Sequence, residues 1–357
     1  MRLRQRGLSL IELMIAITLG LVLMAGVTQM FLSSQTVFHT QQAMSRIQEN
    51  GRLGMEFIAK DVRMAGYMGC LSDSAAIGST LNSEDDFAYR MNIGLEGYTA
   101  PLSGSEAGMT LSPTPIDGTD ILVVRSAGSG GGVVTQINYG AQVFTSNTGK
   151  VDGACPGNTA SYSGICSGDI LIIADCFKAR IFQATGVTPV QGGGAELNIT
   201  HSQNQSLTPG NARSSWGGGG NPDVEFPPGA DVLVAKHIVY FIATSPSTQE
   251  PSLYQNINGA ATSFELLSGV EDMHLTYSRA DAPDDYKTAA QLGSAVWSSE
   301  DNPVVSVRVQ LLVRSLEDNV LEEPQVFTFP EGTAQTSTDR RMRQVFTNTV
   351  AIRSRLP

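Results

Sequence analysis

The hydrophobic pattern changes character twice along the chain. After Glu12 no Asp, Glu, Lys or Arg occurs until Arg46. Residues 13–32 are mostly apolar, matching the ~20 residues that a helix needs to cross a bilayer. From Arg46 a helical pattern continues in amphipathic form. Arg52, Glu56 and Lys60 stand four apart, with Glu49 three before Arg52, a spacing that predicts surface ion pairs. Ile47, Leu53, Phe57, Ile58 and Val62 form an apolar stripe at three- and four-residue steps. The pattern predicts a helix to about Ala65, stopped by Gly66 or Gly69. Gly20, Gly26, Gly51 and Gly54 weaken that helix intrinsically and point to close packing against neighbours or to local melting.

Beyond Cys70 the period falls from 3.6 to 2. In Val304–Arg314 the residues Val305, Val307, Val309, Leu311 and Val313 share one face, with Ser306, Arg308, Gln310 and Arg314 mainly on the other. Val270–Ser278 alternates with Met273, Leu275 and Tyr277 inward. Val232–Ala243 is a longer apolar stretch, and Val345–Ile352 sets Phe346, Val350 and Ile352 on one side. Gly118–Val124 and Gly168–Ile173 each read as a turn feeding a buried strand. The Gly and Ser runs at 128–132, 192–194 and 217–220 read as loops. The fold class that follows is α+β: a long N-terminal helix packed on a large β-rich head.

Charge narrows the function. The net charge is −11, so direct nucleic-acid binding by charge attraction is not predicted. The four cysteines, Cys70, Cys155, Cys166 and Cys176, all follow the apolar run and form no CxxC. Zinc would need close ligand pairs; disulfides in an oxidising compartment fit better, against four buried thiols. His201, His237 and His274 sit apart, each read as a surface or satisfied core histidine. Gly128–Gly132 lacks the order of a phosphate loop, and no GxSxG elbow is present. Glu84–Asp86 and Asp281…Asp285 could hold calcium loosely, but without EF-hand spacing they read as solvated acidic loops. No catalytic residue, metal or cofactor is predicted.

The first residues decide the class. Arg2, Arg4 and Arg6 precede the apolar span with no acid to balance them, so the positive-inside bias leaves the N-terminus cytoplasmic and the rest outside. An ordinary signal peptide has its small-residue cleavage site after the apolar core, whereas Gly7 comes before it. A plain anchor would not carry Glu12, because a carboxylate at membrane depth is costly without a partner. Gly7-Leu-Ser-Leu-Ile-Glu-Leu-Met14 closely resembles the class III signal of type IV pilins and type II secretion pseudopilins. The resemblance implies cleavage after Gly7 by a prepilin peptidase and N-methylation of the new terminus at Leu8, a position where Phe is commonest. It also makes Glu12 the family's acidic assembly residue. A Glu12 carboxylate paired with a neighbouring subunit's Leu8 amine would cancel two charges that are costly singly and set the stagger between subunits.

Tyr67–Cys70, the Ser167–Cys176 stretch, Gly269–Asp272, Leu311–Ser315 and the terminal Arg341–Arg353 segment look like the PilW family of minor pilins. The implied organisation is a basic leader at 1–7, a helix at 8–66 with its transmembrane part at about 8–32, and an extracytoplasmic head at 67–357. Losing the leader removes three Arg and no acid, moving the net charge to −14. The implied function is a structural subunit that initiates, or enters, type IV pili, whose machines serve motility, adhesion and DNA uptake. A J-type-like pseudopilin of a type II secretion system is the nearest alternative. A membrane-tethered periplasmic enzyme is the next, but it would need a convergent polar constellation. The implied partners are the prepilin peptidase, other minor pilins and the major pilin. The implied location is the inner membrane, single-pass with a periplasmic head, and then the pilus at the cell surface. Four cysteines permit three pairings. Cys155–Cys166, closing a short Gly/Pro-containing loop, and Cys70–Cys176, tying the end of the helix to a core strand, are the favoured ones. The basic C-terminus, with Arg340, Arg341, Arg343, Arg353 and Arg355, reads either as a contact for an acidic neighbour or as an edge that resists strand pairing.

Overall fold

The computed structural model describes residues 9–71, 77–102, 109–138, 141–146, 151–155, 159–190, 196–214, 216 and 226–355. Strand makes up 42% of the described residues and helix 21%, and most of the helix is one element, α1, of 54 residues (Leu10–Arg63). The fold class is therefore α+β with a β-dominated head. By contact, the chain forms two compact units. One takes the chain up to Glu49 together with Arg314–Gln344, and the other is Asn50–Val313 with Val345–Pro357.

The larger unit is organised by two long strands, β3 (Asp120–Asn138) and β11 (Asp231–Thr244), paired antiparallel. Each has two partners on its outer edge. Along β11 these are β7 (Ile170–Ala174) and then β12 (Pro251–Ile257); along β3 they are β2 (Leu95–Thr99) and then β4 (Gln142–Ser146). Beyond β7 follow β8 (Ala179–Gln183) and the parallel β1 (Ile77–Ser79). Beyond β4 follow β10 (Glu196–Thr200) and β9 (Gly186–Pro189), and β13 (Phe264–Ser268) pairs with β12. Ile121–Val124 and Leu171–Ile173 are fully buried, as expected of strands fed by turns.

The Gly128–Gly132 run is not a loop. It lies inside β3 opposite a register shift between Val232 and Val234. Gly131 has φ +80°, and a Cβ there would meet the Val232 carbonyl oxygen at 2.4 Å. Glycine lets the strand bulge and continue where a side chain would collide. Residues 192–194 and 217–220, the other Gly runs, lie outside the described residues.

A second sheet runs β15 (Ala282–Lys287), β14 (Val270–Arg279), β16 (Val304–Arg314) and β19 (Arg343–Ala351). Met273, Leu275 and Tyr277 face inward, each about 1% exposed. On β16 the two faces are less distinct than the alternation predicts. Val305 is half-buried while Ser306 and Gln310 are buried, the serine through mutual hydrogen bonds with Ser278 and Tyr286. A small ribbon joins β5 (Val151–Ala154) to β6 (Ala160–Tyr162). Two disulfides, Cys70–Cys176 and Cys155–Cys166, close within the larger unit and leave no free cysteine.

In the smaller unit Arg46 of α1 pairs with Glu317 at 3.1 Å, and Ala43 and Ile47 are buried. A ribbon of β17 (Val326–Thr328) and β18 (Ala334–Thr336) lies in the returning segment. Two of the C-terminal arginines are committed here. Arg343 grips Asp339 at 2.5 and 3.0 Å, and Arg341 donates to the Ser315 and Leu316 carbonyls. Hydrogen bonding from Arg343 holds the Asp339 carboxyl down at about 2.

Candidate functional site

Gly7 and Leu8 lie outside the described residues. Ser9 caps α1. The Ser9 hydroxyl accepts the Glu12 N–H at 3.2 Å, and a Glu12 carboxylate oxygen accepts the Ser9 N–H at 3.1 Å. This is a capping box, and Glu12 also lies at the positive end of the helix dipole. The pattern Ser9-Leu-Ile-Glu12 ahead of an apolar run is its sequence signal, and the reading above, which assigns Glu12 to an intermolecular pair, passes over it.

From Leu10 to Phe38 the large apolar side chains of α1 are 52–77% exposed. The helix is long and apolar enough to cross a membrane. Its threonines suit that setting, because Thr18, Thr28, Thr36 and Thr40 donate back to the carbonyls of Met14, Met24, Leu32 and Thr36 at 2.8–3.0 Å. Each hydroxyl is thereby satisfied without water.

The inner end of the helix has the opposite character. Met55, Ile58, Ala59 and Val62 are buried. Leu53 and Phe57, placed in the apolar stripe by their spacing, are instead 36% and 39% exposed. The seam is displaced because two glycines occupy its centre. A Cβ at Gly51 would stand 2.2 Å from the Phe346 ring, and one at Gly54 would stand 3.0 Å from Leu311 and 3.2 Å from Leu267. The head therefore packs against bare backbone, and Leu53 and Phe57 turn outward. Among the described residues Glu49, Arg52, Glu56 and Lys60 form no ion pair, contrary to their spacing.

Two polar clusters fix this end. The Tyr240 hydroxyl donates to Asp61 at 2.6 Å and receives Gln255 at 2.7 Å. Burial, then the Asp61 charge, pushes the phenol well above its usual value, so it remains a donor. Past Arg63, Gly66 adopts φ +71° and donates its N–H to the Arg125 carbonyl at 2.8 Å. Ser354 donates to the Ala65 carbonyl at 2.6 Å. The Arg125 side chain, fully buried, reaches Glu96 at 2.5 Å, the Ile93 carbonyl at 3.0 Å and the Phe87 carbonyl at 2.7 Å. Burial lowers its pKa and Glu96 opposes that shift. Neither cluster was anticipated, although a lone Arg ending the apolar run Ile121–Val124 was a signal for the second.

His201 and His237 are buried, and among the described residues their ring nitrogens have no hydrogen-bond partner. The expectation of satisfied core histidines fails for both, because aromatic rings rather than polar groups surround them. His274 lies 3.2 Å from Asp120. Among the described residues no three His, Cys, Asp or Glu side chains are placed to hold a metal ion.

Residues 2–28 match the family model of the prokaryotic N-terminal methylation motif. With the bare apolar helix and the β-rich head, this supports a type IV pilin-like role. Residues 239–354, from within β11 to the C-terminal turn, match the family described as type IV pilus-assembly protein W. That family, like the methylation-motif family, consists of structural pilus-assembly components. Of the head motifs that carried the resemblance, Gly269–Asp272, Leu311–Ser315 and Arg341–Arg353 fall inside the matched span; Tyr67–Cys70 and Ser167–Cys176 fall outside it. No curated protein and no solved structure matches the chain.

Proposed function

We propose that the chain is a minor pilin, a subunit that helps initiate type IV pili or is built into them. The observation that supports this reading is the division of labour within one helix, bare and apolar to Phe38 yet embedded in its own head from Met55 to Val62. A helix with that exposure needs lipid before assembly and other subunits' helices afterwards. Residues 1–7 act as a leader removed by prepilin peptidase, and the new terminus at Leu8 is methylated. Residues 8–66 form the stalk and 67–357 the head. The N-terminus faces the cytoplasm and the head the periplasm until the subunit enters a pilus at the cell surface, among other minor pilins and the major pilin. Glu12 spends one carboxylate oxygen on the Ser9 N–H and offers the other to a neighbour's Leu8 amine.

The test joins processing to assembly. Mass spectrometry of the mature chain should find Leu8 at its N-terminus. Glu12→Ala should leave membrane insertion at least as efficient, since a charge at membrane depth is removed, yet deplete the chain from sheared pili. A mature terminus beyond the apolar segment, or unchanged recovery of Glu12→Ala in pili, would overturn the reading.

A further inference from the structure

The second sheet has two edges of opposite character. On one side β15 carries Pro283, Asp284, Asp285 and Lys287, residue types that keep an edge from pairing. On the other side β19 carries no proline, and no charge from Gln344 to Ala351. The Ile352 N–H donates to the Val305 carbonyl at 2.9 Å, and Gln310 reaches Thr347 at 3.3 Å. β19 therefore runs antiparallel to β16, with its even-numbered residues turned to the ladder. In such a pair the main-chain groups of the alternate residues point away. Those of Val345, Thr347, Thr349 and Ala351 thus form the outer rim of the sheet. Among the described residues no further strand pairs with β19, and no hydrogen bond outside the ladder reaches the main chain of these residues. Thr347, Thr349 and Ala351 are exposed. The rim is held from behind, where Val350 and Ile352 are buried and the Phe346 ring packs on Gly51. The C-terminal arginines do not shield it. Arg343 and Arg341 are spent on Asp339 and on the Ser315 and Leu316 carbonyls. Arg353, just past the strand, is exposed and pairs with no acid among the described residues.

A row of open N–H and C=O groups at strand spacing is matched in full only by another strand. The charges at its ends say whose. A second copy fits badly. Antiparallel pairing centred on Asn348 would set each Arg353 against the other copy's Arg343, and parallel pairing in register would set Arg353 against Arg353. Like charges directly opposite one another are destabilising, and the net charge of −11 on each chain adds repulsion. An acidic residue at the Arg353 end turns that repulsion into attraction. We propose that β19 is a docking edge that takes up one extended strand of a different protein. That strand is uncharged over the length of Val345–Ala351, apolar on the side of Phe346 and Val350, and carries an acidic side chain opposite Arg353.

The test uses the full chain in detergent micelles and two fluorescent peptides of alternating threonine and valine. One begins with aspartate, for antiparallel addition, and the other ends with it, for parallel addition. At least one should bind, read as a saturable rise in anisotropy, and should slow hydrogen exchange across Val345–Ala351. Thr349→Pro removes an outward N–H and none of the ladder's, so it should abolish binding. Should that variant fold poorly, the double variant Thr347→Lys, Thr349→Lys places two charges at exposed rim positions and should do the same. Arg353→Glu should weaken binding about fivefold, the upper end for an exposed ion pair, and should favour a peptide with lysine in place of aspartate. Failure of both peptides to bind, binding that survives the rim variants, or slowed exchange elsewhere but not at β19 would each overturn the proposal. So would equal binding of the lysine and aspartate peptides to the parent chain. Self-association of the chain in sedimentation, lost in the rim variants, would show that a second copy occupies the edge instead.

Discussion

At the scale of single residues, the head's buried titratable groups give its stability a pH dependence of mixed sign. Burial lowers His201 to about 4 and His237 to about 3. Both stay neutral in the fold while the unfolded chain would protonate them near 6.5. Their contribution is fully present above pH 6.5 and is lost as pH falls toward 4. Asp272 works the other way. Burial raises it to about 7, opposed by the Met273 N–H and reinforced by Asp120. The fold then holds a proton that the unfolded chain releases near 3.8, so this contribution is present below pH 3.8 and is lost as pH rises to 7. Each proton changes stability by about 1.4 kcal/mol per pH unit while it differs between states. Urea unfolding can be followed by the fluorescence of Trp216 and Trp297, both buried in the larger unit. Between pH 6.5 and 4 Asp272→Asn should lose stability more steeply on acidification than the parent. The double variant His201→Gln, His237→Gln should reverse the slope. Equal slopes in all three proteins would show that these groups do not set the pH response.

At the scale of elements, what was legible depended on whether a pattern is local. The bounds of Val304–Arg314 were readable to the residue because β-branched alternation is a property of the strand itself, but its faces were not, since Ser306 and Gln310 are buried by partners elsewhere in the chain. The inward set Met273, Leu275 and Tyr277 was readable for the same reason, as was the helix to within two residues of its end. The buried side of the helix was misread because a periodic apolar stripe is the usual signal of a core face, and glycine carries no such signal. Only Phe346, nearly three hundred residues away in sequence, explains Gly51. The Gly run of β3 was misread as a loop for the same kind of reason, since its function is a bulge defined by Val232 on another strand. The partnership of Arg314–Gln344 with the outer helix is equally non-local, and so are the Asp61–Tyr240 and Arg125–Glu96 pairs. The glycine seam predicts its own test. Gly51→Ala should gain about 1 kcal/mol of helix propensity but lose about 1–3 kcal/mol to the collision with Phe346, so a net loss is expected. Adding Phe346→Leu should recover part of it. Gly26→Ala, where nothing lies within 4 Å, should leave head stability unchanged. If Gly51→Ala raises the unfolding midpoint of the head, the helix does not pack on the ring as described.

At the scale of the whole molecule, the proposed role makes a demand on stoichiometry. A filament shaft repeats one subunit at the close spacing of packed helices, whose axes approach to roughly 8–10 Å. The larger compact unit, Asn50–Val313 with Val345–Pro357, has by compact-domain scaling a radius of gyration of roughly 19 Å, against about 13 Å for 100 residues. A body that wide on every subunit would meet its neighbours before the apolar segments from Leu10 to Phe38 could close on one another. The conflict disappears if the chain is used once or a few times, at a tip or in an initiating complex, where the adjacent subunits carry smaller heads. Head-to-tail contacts along the helices still serve to add the next subunit, because an open helical array needs only one heterologous interface. Quantitative mass spectrometry of purified pili should therefore find this chain far below the principal pilin. It should be lost together with the pili when the apolar segment is interrupted by a charge, as in Val22→Lys. Recovery at a level comparable to the principal pilin would show that heads of this size can be accommodated along a shaft, and the minor-subunit reading would fall with the crowding argument.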